Sequence, residues 1–212
     1  MKDIKRSCVD CGAGSCNKKD APFPEFCLTT SLPKEVLKDA MKQYEIEENR
    51  KLAIAAAEVE NDNYCKMTRL EETIEFAKKL GVKKIGIATC LGLLKESGMV
   101  AKVLRSHGFE VFGAACKSGT QKKVEIGIPE RCEAVGENMC NPILQAKRLN
   151  AEKTELNILV GLCVGHDSLF YKHSDAPVTT LVAKDRVLGH NTVAAIYQAD
   201  KYYEKKLFPQ EL

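Results

Sequence analysis

The sequence predicts an α/β protein in which a small cysteine-rich module and a helical segment precede a mainly parallel open sheet covered by helices. Three observations carry this expectation. Residues 1–30 hold four cysteines and almost no periodic apolar pattern. The apolar spacing is helical from about Ser31 to Gly81. Beyond Gly81, short apolar runs alternate with helix-like stretches, which is the pattern of βαβ units.

The bulk numbers exclude several classes. In 212 residues, 44% are hydrophobic and 29% charged, too apolar for a disordered chain. The net charge is +3 and the two signs are interspersed, so no basic stripe tracks a phosphate backbone and nucleic acid is not the expected partner. The local excess of Lys2, Lys5, Arg6, Lys18 and Lys19 reads as a solvated face. The longest apolar runs, 157–165 and 52–57, fall far short of the ~20 residues of a membrane span. Met1 leads into charge rather than an export signal, so a cytoplasmic protein is expected. Ten cysteines in that reducing setting point to metal or thiol chemistry rather than disulfides.

The elements follow in order. Residues 1–30 form the module, 31–81 the helical segment and 82–212 the α/β domain. Pro33 opens a helix with Val36, Leu37, Ala40, Met41 and Tyr44 at helical spacing, continuing into "KLAIAAAEVE". Thr68 and Glu71 make a capping box for the next helix, which Gly81 ends. Strand 82–90, helix 91–108 and strand 109–116 make a βαβ unit. Residues 117–140 are polar and turn-rich, too long for an idle connection. Asn141 and Pro142 open a helix to about Asn150; 156–163 is a strand, a short helix follows, 176–184 is a strand, and 190–207 closes as one helix. The sum is a Rossmann-like sheet.

Cys90, Cys116 and Cys163 each fall at the last position of a predicted strand, and Cys140 just precedes a helix start. Ligands bind at the carboxyl edge of such sheets, so these cysteines are expected to converge on one crevice as cofactor ligands. Cys140 is a fourth ligand or the working thiol, since a helix N-terminus favours thiolate. Cys132 lies in the same loop and is an alternative to Cys140, whereas Cys65 reads as structural. Cys8, Cys11, Cys16 and Cys27 follow C-x2-C-x4-C-x10-C, with Gly12 and Gly14 allowing a tight fold around a shared ion. Four thiolates suit zinc or an iron–sulfur cluster of the 4Fe–4S kind and exclude calcium and magnesium.

"CVDCGAGSC" with "VGLCVGHDSLFYKHSDAPVTTLVAKDRVLGHN" resembles, over nearly the whole chain, a family of uncharacterised prokaryotic proteins described as metal-binding. That resemblance implies a cysteine-rich metal module joined to an α/β domain. Three cysteines at strand ends are also similar in placement to the thiouracil desulfidases, which imply a 4Fe–4S cluster on three cysteines with one iron open to substrate sulfur.

Gly161-Leu162-Cys163-Val164-Gly165 has the outline of a nucleophile elbow, with His190 downstream as base, but too little chain follows for an α/β-hydrolase. A cluster ligand is the preferred role for Cys163. His166, three residues on, is expected near the same crevice, and His166, His190 and Cys140 are the candidate catalytic groups. Asp167, His173, Lys184, Asp185 and Arg186 stand near them, and "KSGT" at 117–120 offers weak anion-binding amides. No G-x-G-x-x-G occurs at the strand ends, so a dinucleotide is not expected. The expected function is an iron–sulfur enzyme that removes or transfers sulfur on a small-molecule substrate, served by an electron-transfer protein. A zinc-binding or redox-sensing interaction protein is the alternative, and a thiol-dependent hydrolase or transferase the third.

Overall fold

The computed structural model describes residues 5–18 and 20–208; Lys2 and Lys19 of the basic group lie outside them. The chain divides into two compact units, Met1–Ala57 and Glu58–Leu212.

In the first unit, cysteines stand on two 3-10 turns, Cys8–Asp10 and Ser15–Asn17. Local polar bonds do the work that a core cannot do here. The Ser7 N–H donates to the Asp10 carboxylate at 2.7 Å, and the buried Ser15 hydroxyl donates to the Pro22 carbonyl at 2.6 Å. Helices α1 (Leu28–Ser31) and α2 (Lys34–Gln43) follow, and α3 (Glu47–Asn63) runs across the division. The helix expected to continue from Pro33 is broken at Tyr44. There the N–H groups of Tyr44, Glu45 and Ile46 reach back three residues, to Met41, Lys42 and Gln43, forming a tight turn before α3 restarts.

In the second unit, α4 (Arg69–Leu80) has the expected capping box, with Thr68 and Glu71 bonded reciprocally, and ends at Gly81 with φ 75°. Strand β1 (Lys84–Thr89), helix α5 (Leu94–Ser106) and strand β2 (Glu110–Ala115) form the first βαβ unit. Helix α6 (Pro142–Ala151), β3 (Leu156–Val160), α7 (His166–His173) and β4 (Val178–Val182) complete an all-parallel sheet in the order β2-β1-β3-β4. Alternate residues of each strand face opposite layers. Ile85, Ile87, Ile158 and Val160 pack with Ile74 and Ala77 of α4 and Leu104 of α5. Ala88, Ala114 and Leu159 pack with Ala146 and Leu149 of α6 and Phe170 of α7. Strand β3 is buried along its whole length, as a strand covered on both faces must be.

Two further expectations are corrected. The strand expected over 156–163 ends at Val160, because Gly161 turns the chain at φ 68°. The closing helix over 190–207 is two short ones, α8 (Val193–Tyr197) and α9 (Glu204–Leu207), separated by turns in which Lys201 and Tyr203 both donate to the Gln198 carbonyl. Among the described residues, no helix is long and apolar enough to cross a membrane.

Candidate functional site

Parallel register aligns the first two thiols. Thr89 is opposite both Ala115 and Val160, so Cys90 and Cys116, each one residue past its strand, lie side by side, about one strand spacing (~4.8 Å) apart. Their backbones stay tied to the sheet: the Cys116 N–H donates to the Thr89 carbonyl at 2.9 Å and the Cys90 N–H to the Val160 carbonyl at 3.2 Å. Cys163 reaches the same rim by a different route, three residues beyond β3. Gly161 and Gly165 both hold positive φ, so the chain turns sharply, and the Cys163 carbonyl accepts the N–H groups of His166 and Asp167 at the start of α7. A Cβ at Gly161 would run into the Leu93 side chain, and the positive φ there strains any residue but glycine.

Cys140 arrives from the 117–140 loop. That loop is not formless. It carries 3-10 turns at Lys123–Ile126 and Glu130–Val135 and a bridge between Lys122 and Asn138, and the buried Lys123 ammonium donates to the Cys132 carbonyl. At its end the Asn141 N–H donates to the Cys116 carbonyl at 2.6 Å, which seats Cys140 beside Cys116, and the Asn141 side chain caps α6 through the Leu144 N–H.

The electrostatics tie the four sulfurs together. Proton sharing with the Cys140 sulfur, and then burial, push the Cys116 thiol up. The same contact pulls Cys140 down to about 7 against burial and the charges of Cys163 and Cys90, with the Lys117 ammonium helping. A guanidinium N–H of Arg186 donates to the Cys163 sulfur at 3.0 Å, and Cys163, then Cys90 and Cys140, hold the Arg186 proton more firmly than usual. The Leu91 N–H donates to the Cys116 sulfur at 3.3 Å. Helices α5, α6 and α7 all begin within a few residues of these cysteines and present their positive ends to them.

The other expected residues are distributed as follows. His166 opens α7, half-buried, its N–H on the Cys163 carbonyl. His190 sits in a tight turn at φ 70°, its Nδ1 accepting the Asp185 N–H at 3.0 Å while its own N–H donates to the Asp185 carbonyl. Lys117 donates to the Asn138 carbonyl, so its first role is to hold the loop. Cys65 is exposed in the joint between α3 and α4. One positioning residue has no motif to mark it in the sequence. Gln145 of α6 is fully buried and donates from Nε2 to the carbonyls of both Thr89 and Ala114, strapping the strand ends that carry Cys90 and Cys116. Its signal is a polar residue on the face that buries Pro142, Ala146 and Leu149.

In the first unit, Cys8, Cys11, Cys16 and Cys27 line one cavity of about 150 Å³, walled also by Pro24 and Phe26. The Thr29 hydroxyl, aided by the N–H groups of Thr29 and Thr30, holds the Cys27 thiol below its ordinary value against some desolvation. Among the described residues, no three His, Cys, Asp or Glu side chains already stand so as to hold one metal ion.

The fold and these thiols define a cysteine-rich α/β protein whose candidate site lies at the carboxyl edge of a parallel sheet. The chain belongs to the family described as protein of unknown function (DUF1847), whose profile matches residues 27–181. It is 48% identical over 193 residues to an uncharacterized protein of Methanocaldococcus jannaschii, covering 91% of this chain and 95% of that one.

Proposed function

We propose that this protein is an iron–sulfur protein whose sheet-edge thiols Cys90, Cys116 and Cys163 bind a 4Fe–4S cluster, with Cys140 beside it as the working thiol toward a small-molecule substrate. The observation that carries the reading is the gathering of four thiols from separate segments onto one rim, under three helix N-termini and the guanidinium of Arg186. The charges of Cys163 and Cys90 oppose ionisation of Cys140, and a bound cation relieves that repulsion. The donor set fits soft-metal chemistry, and rotation about each Cys χ1 is the adjustment that binding asks for. A cluster held by three cysteines supplies an iron open to a substrate atom. The chain's own contribution is to hold charge at the rim through Arg186 and Lys117 and to keep Cys140 ready to take up or give a proton. Cys140 comes from the loop rather than from a strand end, which is why it receives the working role. The four cysteines around the first unit's cavity bind a second thiolate-held metal, since a segment without a core gains its fold from such an ion. An electron-transfer protein would serve the cluster.

Anaerobic purification followed by iron, sulfide and zinc analysis tests this reading. Iron with acid-labile sulfide, and visible absorbance lost in Cys90→Ser, Cys116→Ser and Cys163→Ser alike, is the expected result. One zinc per chain with no iron, in a protein whose strand-end variants are spectroscopically unchanged, would overturn it and favour a zinc-binding interaction protein.

A further inference from the structure

A cleft of about 550 Å³ opens beside the edge strand β4, walled by Leu93, Val182 and Ala183 and rimmed by Glu96, His190 and Thr192. Its size lies within the roughly 300–1,000 Å³ typical of small-molecule sites. Its polar inventory is specific. The His190 ring accepts the Asp185 N–H at Nδ1, which leaves the proton of the neutral ring on Nε2, a donor on the side away from that turn. Glu96 is exposed in the first turn of α5 and, when ionised, only accepts. The neighbouring Thr180 hydroxyl is already bonded to the Tyr171 hydroxyl. The rim thus presents a donor at His190, an anionic acceptor at Glu96 and, at Thr192, a hydroxyl that can do either, over an aliphatic floor.

We propose that this cleft binds small uncharged molecules that present an N–H and a carbonyl side by side on an apolar ring, that is, the cyclic amide class. The N–H meets Glu96, the carbonyl meets His190 Nε2, and the ring lies on Leu93, Val182 and Ala183. A carboxylate or phosphate would face Glu96 with like charge, and a simple ammonium would leave the His190 donor without an acceptor. The cleft adjoins the thiol rim through the chain itself. The Leu93 N–H donates to the Cys90 carbonyl at 2.9 Å, and the 183–192 segment that supplies His190 also carries Arg186 on the Cys163 sulfur. That the bound molecule is the substrate of the thiol site rests on the function proposed above; the binding itself does not.

The test uses the full chain with ¹⁵N-labelled histidine, titrated with 2-piperidinone while the His190 Nε2 resonance is followed. Saturable binding in the millimolar range is what a ligand this small allows. N-methyl-2-piperidinone, which lacks the N–H, is expected to bind at least tenfold more weakly. Glu96→Ala, an exposed change that leaves the fold and the thiols alone, is expected to weaken 2-piperidinone similarly and N-methyl-2-piperidinone hardly at all. Equal binding of the two lactams, tighter binding of acetate or butylammonium, or no saturable shift would overturn the proposal. Metal content measured on the same samples keeps the two readings apart: lactam binding without iron sinks only the cluster, and iron without lactam binding sinks only the cleft.

Discussion

Arg186 donates a guanidinium N–H to the sulfur of Cys163 at 3.0 Å, across a gap of 23 residues in sequence. The contact joins the turn after β4 to the turn after β3 and places a permanent positive charge over the rim. Because Arg186 is exposed, its replacement leaves the core untouched. Groups that hydrogen-bond a metal ligand commonly contribute about 10–100-fold in metal affinity. Arg186→Ala is therefore expected to lower metal retention at the sheet edge by about tenfold or more in chelator competition, and Arg186→Lys to recover part of it. Unchanged retention in Arg186→Ala would mean that the guanidinium is only a surface contact.

Gln145 tests how far the site depends on support from below. Its Nε2 satisfies two buried carbonyls, while its Oε1 is buried and has no partner among the described residues. Gln145→Leu keeps similar volume and removes the strap. Two lost bonds at about 1 kcal/mol each, offset by about 1 kcal/mol for relief of the unpaired oxygen, predict a net loss of about 1 kcal/mol in urea unfolding. The same variant should also loosen Cys90 and Cys116, seen as faster alkylation of both in metal-free protein. A variant as stable and as slow to react as the parent would remove Gln145 from the list of positioning residues.

What was legible in the sequence had local signals. Thr68, Glu71 and Gly81 mark both ends of α4, and Asn141 with Pro142 marks the start of α6, because capping chemistry is settled within one helical turn. The closing helix expected over 190–207 has no such local closure and breaks into α8 and α9. Val193, Ile196, Tyr197, Tyr202 and Leu207 are all exposed, and an apolar stripe with no core to pack against does not sustain a long helix. Cys163 reads as a strand end because the apolar run continues past Val160, whereas the left-handed turn at Gly161 is a backbone event that the run conceals. The seating of Cys140 against Cys116 depends on a bond from Asn141 to the Cys116 carbonyl, closed across a 24-residue loop, and no local pattern announces it.

Gly161 separates two penalties that usually travel together. Its φ of 68° disfavours any side chain, and a Cβ there would also strike Leu93. The left-handed conformation alone costs about 1–2 kcal/mol in a residue with a Cβ. Gly161→Ala is expected to lose more than that, and adding Leu93→Ala should return only the steric part, so the double variant is less destabilised than the sum of the two single ones. Strict additivity in denaturant unfolding would show that the turn yields without pressing on Leu93.

The pairing of Cys116 with Cys140 predicts how the metal-free rim responds to pH. A free thiol ionises near 8.5. Cys140 is drawn down to about 7 by its contact with Cys116, so half of it is thiolate near neutrality, while Cys116 keeps its proton well above that. Only the thiolate attacks an alkylating agent. Labelling with iodoacetamide, read by peptide mass spectrometry, should therefore modify Cys140 before Cys116 at pH 7, with the Cys140 rate rising through a midpoint near 7. Cys116→Ala removes the group that stabilises the thiolate, so the midpoint should move upward and the rate at pH 7 should fall. If the midpoint of the parent protein lies at or above that of a free thiol, the two sulfurs do not share a proton, and Cys140 has no claim to act as the thiol beside the cluster.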